Sequence, residues 1–304
     1  MSRVFYNRLV EGQTVSAIIH NGSYFFQHMA VYEDGSVSCW KRVGLDELPE
    51  QLNKGWLVTE VPTGENLNVH GLGDFKIIAA EWMHTPESYV AHICDCVKQM
   101  NPDMEGLYKE TRPQSQRWEK NRVSWSASPT PYKIAESFGY DISKGESTSL
   151  FYRCGEKLRL TQLTAFPDKT IAIDSLPGQW FSLHEIYKMF ETGELTSSFE
   201  GKGNILLGEL GAITAVRECG TSNDDKLMEI VDLLAKTSDE PTSHDRCKNA
   251  YYEYLRWPTE ECRKRLQAAY EAVPEHERRY LGDMDSKDWD YRRIIYHPEN
   301  KREV

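Results

Sequence analysis

The stretch "HICDC", residues 92–96, gathers a histidine, an aspartate and two cysteines within five positions. Such donors hold zinc when four of them converge tetrahedrally. On a helix His92, Asp95 and Cys96 share one face, because residues three and four apart are neighbours. His92 and Cys96 are therefore the metal candidates, half of a zinc site. No CxxC partner occurs in the chain. A solvated polar helix face is the better reading, and no cofactor is expected.

A second set, Asp168 with Glu200 and Lys202, loosely imitates the acid, acid, lysine arrangement of metal-dependent nucleases. That chemistry needs two carboxylates on adjacent strands to hold Mg²⁺ and a lysine near the attacked phosphate. Asp168 lies in a turn sequence and glycines flank Lys202, so turn residues are the plainer reading. The segment "DMDSKDWDYRRI" (283–294) has the acidic rhythm of a calcium loop. It carries Asp288 where the sixth position needs glycine and Ile294 where the twelfth needs glutamate. Its acids read better as caps of a last helix. "HGLGDF" (70–75) and "GKGNILLG" (201–208) are followed by strand-like sequence, not by the helix that would cradle phosphate. Among the scattered histidines, His70 is the binding candidate, because Gly71 and Gly73 beside it can open space for a ligand.

Eight Trp and sixteen Tyr exceed what a core obviously needs. Trp40, Trp56 and Trp180 fall at strand ends or beside turns, where exposed aromatics anchor partners. With His70 they form the expected binding set.

These residues need elements to position them, and the elements come in two copies. "NGSYFFQHMAVYEDGSV" (21–37) matches "GEKLRLTQLTAFPDKTI" (155–171) at constant offset, so Asp34 falls on Asp168, Tyr32 on Phe166 and Val37 on Ile171. "GLDELPEQLNKGWL" (44–57) matches "SLHEIYKMFETGEL" (182–195), and "LGDFKI" (72–77) matches "LGELGA" (207–212), pairing Gly73 with Gly208. Two helical stretches, 85–100 and 221–237, close the copies. Four segments in one order argue for duplication. Each unit reads as β-β-α-β-β-α, with Asp34-Gly35 as a two-residue hairpin turn and Gly55 ending a short helix. Val90, Ile93, Cys94, Val97 and Met100 form the expected core stripe of the first long helix, and Leu227, Ile230, Val231 and Leu234 that of the second.

The expected fold class is α+β: two similar tandem modules, each an antiparallel sheet covered by helix, then a small all-helical module. The expected boundaries are 1–108, a Ser/Pro/charge-rich and partly ordered linker at 109–149, a second module at 150–237, and helices over 238–304.

A formal charge of −11 repels phosphate backbones, which counts against non-specific nucleic-acid binding. No stretch is apolar enough to span a bilayer. Seven cysteines without framework spacing suit a reducing cytoplasm. The expected function is a non-enzymatic cytoplasmic binding protein that presents an acidic, aromatic-rich surface to a macromolecular partner, in the first place a basic protein. An immunity or defence role suits the charge without following from it. A metal-dependent hydrolase or nuclease on the second module is the alternative.

Overall fold

The computed structural model describes residues 10–39, 41–109, 122–126, 132–135, 141–283 and 285–300. The first module runs β1 (Val10–His20), β2 (Tyr24–Tyr32), β3 (Ser36–Cys39), β4 (Lys41–Gly44), α1 (Leu48–Asn53), β5 (Leu57–Val58), β6 (Asn66–Val69), β7 (Gly73–Trp82) and α2 (Pro86–Met100). In the connection, β8 (Arg122–Ser126) lies parallel to β1, and β9 (Tyr132–Ala135) pairs with β10 (Asp141–Lys144). The second module runs β11 (Glu146–Cys154), β12 (Lys157–Ala165), β13 (Ile171–Ile173), α3 (Leu183–Glu191), β14 (Leu195–Thr196), β15 (Lys202–Leu206), β16 (Gly211–Gly220) and α4 (Asn223–Thr237). Helices α5 (Ser243–Arg256), α6 (Glu260–Glu271) and α7 (Trp289–Tyr296) complete the chain.

The main strands join one sheet in the order β14-β11-β12-β15-β16-β7-β6-β2-β1-β5. Each half reads the same from its outer edge inward, so the copies share one chain path related by a pseudo-twofold axis between β7 and β16. The pairing types repeat as well. β1–β2 and β11–β12 are antiparallel, whereas β2–β6 and β12–β15 are parallel. The sheet is therefore mixed.

Local chemistry explains the repeats. In the first hairpin Asp34 Oδ1 accepts from Ser36 N at 3.1 Å and Ser36 Oγ at 2.6 Å. In the second, Asp168 Oδ1 accepts from Thr170 N at 3.1 Å and Thr170 Oγ1 at 2.6 Å. Only one residue of each turn takes the left-handed conformation, Gly35 at φ 72° and Lys169 at φ 66°. The loops are thus three-residue turns with a bulge rather than the expected two-residue turn.

The centre corrects one expected pairing. Gly73 corresponds to Gly211, not to Gly208. Gly73 faces Gly220 and Gly211 faces Trp82 across the β7–β16 ladder. A Cβ on Gly73 would lie 2.2 Å from the Cys219 carbonyl oxygen, and one on Gly211 2.1 Å from that of Glu81. The two strand ends approach too closely for any other residue, and Gly208 instead opens the 3₁₀ turn before β16.

The modules do not keep wholly separate cores. One buried cluster mixes Ile19, Phe26 and Phe75 of the first with Phe151, Leu160 and Ile213 of the second. The reason is the continuous central pairing, which lets the sheet curl around shared apolar side chains. A second cluster, with Leu163, Ile186 and Ile230, belongs to the second module alone. Cys247, Leu266, Tyr270 and Ile294 form the helical module's own core.

The core face of α2 is also turned from expectation. It buries Tyr89, Ile93, Cys96 and Val97, while Cys94 is half-buried. Tyr89 sets this rotation by donating its hydroxyl to the Ser16 carbonyl at 2.7 Å. Cys96 therefore leaves the solvated face assigned to it. In α4 the buried positions are Lys226, Ile230, Leu234 and Ala235.

Candidate functional site

Of the candidates read from sequence, His70 is exposed on the turn between β6 and β7 and lines two adjoining clefts. Trp56 is half-buried against the shared core. Trp180 is 42% exposed and stands edge-on to Phe166. Trp40 lies outside the described residues. His92 Nε2 lies 3.9 Å from Cys96 Sγ, and among the described residues no group of three or more His, Cys, Asp or Glu could hold a metal ion.

Asp168, Glu200 and Lys202 are not brought together. Lys202 opens β15, whose Ile205 pairs with Leu158 near the start of β12. Asp168 lies past the far end of β12, whose 9 residues span about 30 Å. In the segment read as a possible calcium loop, Asp283 Oδ1 caps a turn through Ser286 Oγ at 2.7 Å, and Asp288 accepts from Tyr270 Oη at 2.6 Å.

The structure assembles a different site. Lys226, fully buried on α4, donates to Glu229 Oε2 at 2.7 Å and to Thr148 Oγ1 of β11 at 3.0 Å. Thr148 also donates to Glu229 Oε1, and His276, on the 3₁₀ turn Glu275–Tyr280, meets Glu229 Oε2 at 3.0 Å. This cluster ties the second module to the helical one. Burial pushes the Lys226 ammonium down, with Glu229 opposing it. Burial pushes the Glu229 carboxyl up, but His276, Lys226 and Thr148 together hold it down at about 2. Glu229 is therefore an ionised carboxylate at neutral pH.

Above this cluster opens a cleft of about 640 Å³, lined by β2, β11, α4, the start of α5 and the 3₁₀ turn. A second cleft of about 430 Å³ adjoins it at His70, Glu277 and Tyr280. Gly71 lies over the Lys226 ammonium, and a Cβ there would sit 3.1 Å from Nζ. In the wall, burial pushes the His28 imidazole down to about 4. The Nε2 atoms of His28 and His244 are buried without a partner.

The first module shows what the shared chain path builds without these substitutions. The N-caps of α2 and α4, Thr85 and Ser222, are equivalent, so Tyr89 stands where Lys226 does and His92 where Glu229 does. Glu209, the counterpart of Gly71, accepts from the Ser16 backbone N–H. One copy is closed by a tyrosine and a glutamate. The other is opened by a glycine and floored by a lysine.

Sequence reasoning missed Lys226, because its alignment of the two helices was one residue out of step. Matching the capping residues instead places a lysine at a core position, which is the signal that finds it.

A second feature lies on the helical module. Tyr252 and Leu255 share a face of α5 and are 65% and 54% exposed, with Trp257 just beyond at 63%. Tyr252 stands edge-on to Tyr251, which stacks on Tyr291 of α7, and Trp289 starts that helix 60% exposed. Residues 242–304 carry 13 basic and 13 acidic side chains, so the whole charge of −11 resides in residues 1–241.

Among the described residues no helix is long and apolar enough to cross a membrane. No curated protein and no solved structure matches the chain. A family model described as Domain of unknown function (DUF7639) matches residues 242–303, the helical module. A second, described as Domain of unknown function (DUF7638), matches residues 1–104 and 133–241, the two copies that share the sheet. With most of its length so matched, the chain belongs to the DUF7638 family.

Proposed function

We propose that the protein is a non-enzymatic binding protein that docks a basic protein partner. The helical module supplies apolar anchors, and the acidic double module supplies complementary charge. The observation that carries this reading is the set of exposed large side chains on the helical module, Tyr252 and Leu255 on α5, Trp257 just beyond it and Trp289 at the start of α7, with no net charge on that module. Exposed large apolar side chains concentrated on one module mark interaction surfaces, and aromatic residues dominate interface energies. The acidic modules steer a basic partner and set its orientation more than its affinity. Neutralising or sensing a basic macromolecule in the cytoplasm, as an immunity or defence protein does, suits this division of labour.

The test is affinity capture from the native host with wild type and with a Tyr252→Ala/Trp257→Ala variant. The reading expects one stoichiometric basic partner, retained by wild type and lost from the variant. A thermal shift with Mg²⁺ or Mn²⁺ that disappears in Asp168→Ala would favour the hydrolase reading instead.

A further inference from the structure

We propose that the 640 Å³ cleft between the second module and the helical module binds a compact organic cation bearing an ammonium or guanidinium group. Its size falls in the range of small-molecule sites. Its charge favours a cation. Glu146, Glu229, Asp232 and Glu277 line it together with Lys236. Glu146 is offset by Lys236 at 2.9 Å, and Glu229 by Lys226 at 2.7 Å. Asp232 accepts from Ser243 N at 2.7 Å and from Ser243 Oγ, but its nearest cation, Arg246, stands at 3.9 Å, and Glu277 has only His276 at 3.6 Å. Of the three histidines that line it, burial lowers His28 and His244, so those two add no positive charge. An anion would meet uncompensated charge of its own sign. A cation would complete the balance.

Hydrogen-bonding capacity in the cleft points the same way. Among the described residues, Gln27, Ser149 and Gln162 line the cleft with no intramolecular side-chain partner. The buried Nε2 atoms of His28 and His244 in the same wall also lack one. Buried polar groups are normally paired, so the two histidine nitrogens call for an explanation, whereas the half-exposed side chains of Gln27, Ser149 and Gln162 are open to a ligand's donors. Phe26 and Tyr280 also line the cleft, and the Tyr280 ring already carries the Arg279 guanidinium over one face at 4.8 Å, which shows that ring in contact with a cation.

The first module lacks the opening. The shared chain path does not require an open site, because Tyr89 and Glu209 close the matching place in the first module. Opening it took a glycine at position 71 and a buried lysine at 226. That lysine holds the Glu229 carboxylate in place at the cleft wall.

The test is calorimetric titration of the full-length protein with agmatine, which carries both an ammonium and a guanidinium group. Inorganic phosphate and glucose serve as anionic and neutral controls. The expected result is one-to-one agmatine binding with Kd below about 1 mM, weakening as salt is added. Glu277→Lys is expected to weaken it about tenfold or more with the melting temperature retained. Gln162→Leu is expected to weaken it by a smaller factor, and Tyr252→Ala/Trp257→Ala to leave it unchanged. No binding heat up to about 10 mM agmatine, a Kd unchanged by Glu277→Lys, or equal binding of glucose or phosphate would overturn the proposal.

Discussion

Lys226 and Glu229 interlock as a buried pair, and breaking such a pair costs more than replacing both members. Lys226→Met should destabilise the protein by about 3–5 kcal/mol, because Glu229 is left charged and under-compensated. Lys226→Met/Glu229→Gln should recover a large part of that loss, read from urea unfolding as a double-mutant cycle. If the separate losses of Lys226→Met and Glu229→Gln simply add in the double variant, the pair is not coupled.

Two pH windows follow at the same scale. His28 is held at about 4, below its ordinary 6.5, so the folded state binds fewer protons than the unfolded one. Its contribution is complete above pH 6.5 and is lost as pH falls toward 4, amounting to at most about 3 kcal/mol. His28→Gln, which copies the equivalent Gln162, should flatten that limb of the stability curve. Glu229 is held at about 2, below its ordinary 4.5. Its contribution is present above pH 4.5 and is lost as pH falls toward 2, about 3 kcal/mol at most. Glu229→Gln should remove the lower limb and leave the upper one. Equal slopes in wild type and variant would contradict either assignment.

At the scale of elements, the duplicated glycines fall into two classes. Gly55 and Gly193 end their helices at φ 68° and 73°, with nothing within 4 Å of where a Cβ would stand. Alanine there meets only backbone strain, about 1 kcal/mol. Gly73 and Gly211 combine φ of 123° and 136° with a carbonyl oxygen in the Cβ position. Alanine at either should cost more than about 3 kcal/mol, since the central ladder must move. Thermal melts of the four variants should separate into these two groups, and a uniform small effect would mean that the β7–β16 contact is looser than described.

Elements were also where the sequence spoke most clearly. Asp34 and Asp168 both announce a turn, and both accept the same pair of hydrogen bonds. Thr85, Ser222, Thr242 and Thr259 all cap helices through their side chains. Such signals act within three or four residues. The rotation of α2 was not legible, because Tyr89 is anchored by Ser16, 73 positions away.

At the scale of the molecule, the shared core should make the two modules unfold as one cooperative body. Phe75 of β7 meets Phe151 of β11 edge to face at 5.6 Å. Phe75→Ala or Phe151→Ala should each lower a single common unfolding transition, by about 3–5 kcal/mol. Probes placed in either module should report the same midpoint. Two separate transitions would mean that each module folds alone.

Residue order was enough to specify the duplication, the α+β character of each copy, the positions of the hairpin turns, the helix caps and the helical character of the last segment. These follow from periodicity and turn chemistry, which are short-range. Folding in three dimensions was needed to pair β7 with β16, to set Lys226 beneath Gly71, and to bring His276 to Glu229. Such contacts join residues tens to hundreds of positions apart. Their partners are chosen by which apolar faces and buried charges can be satisfied together, and no local pattern records that choice.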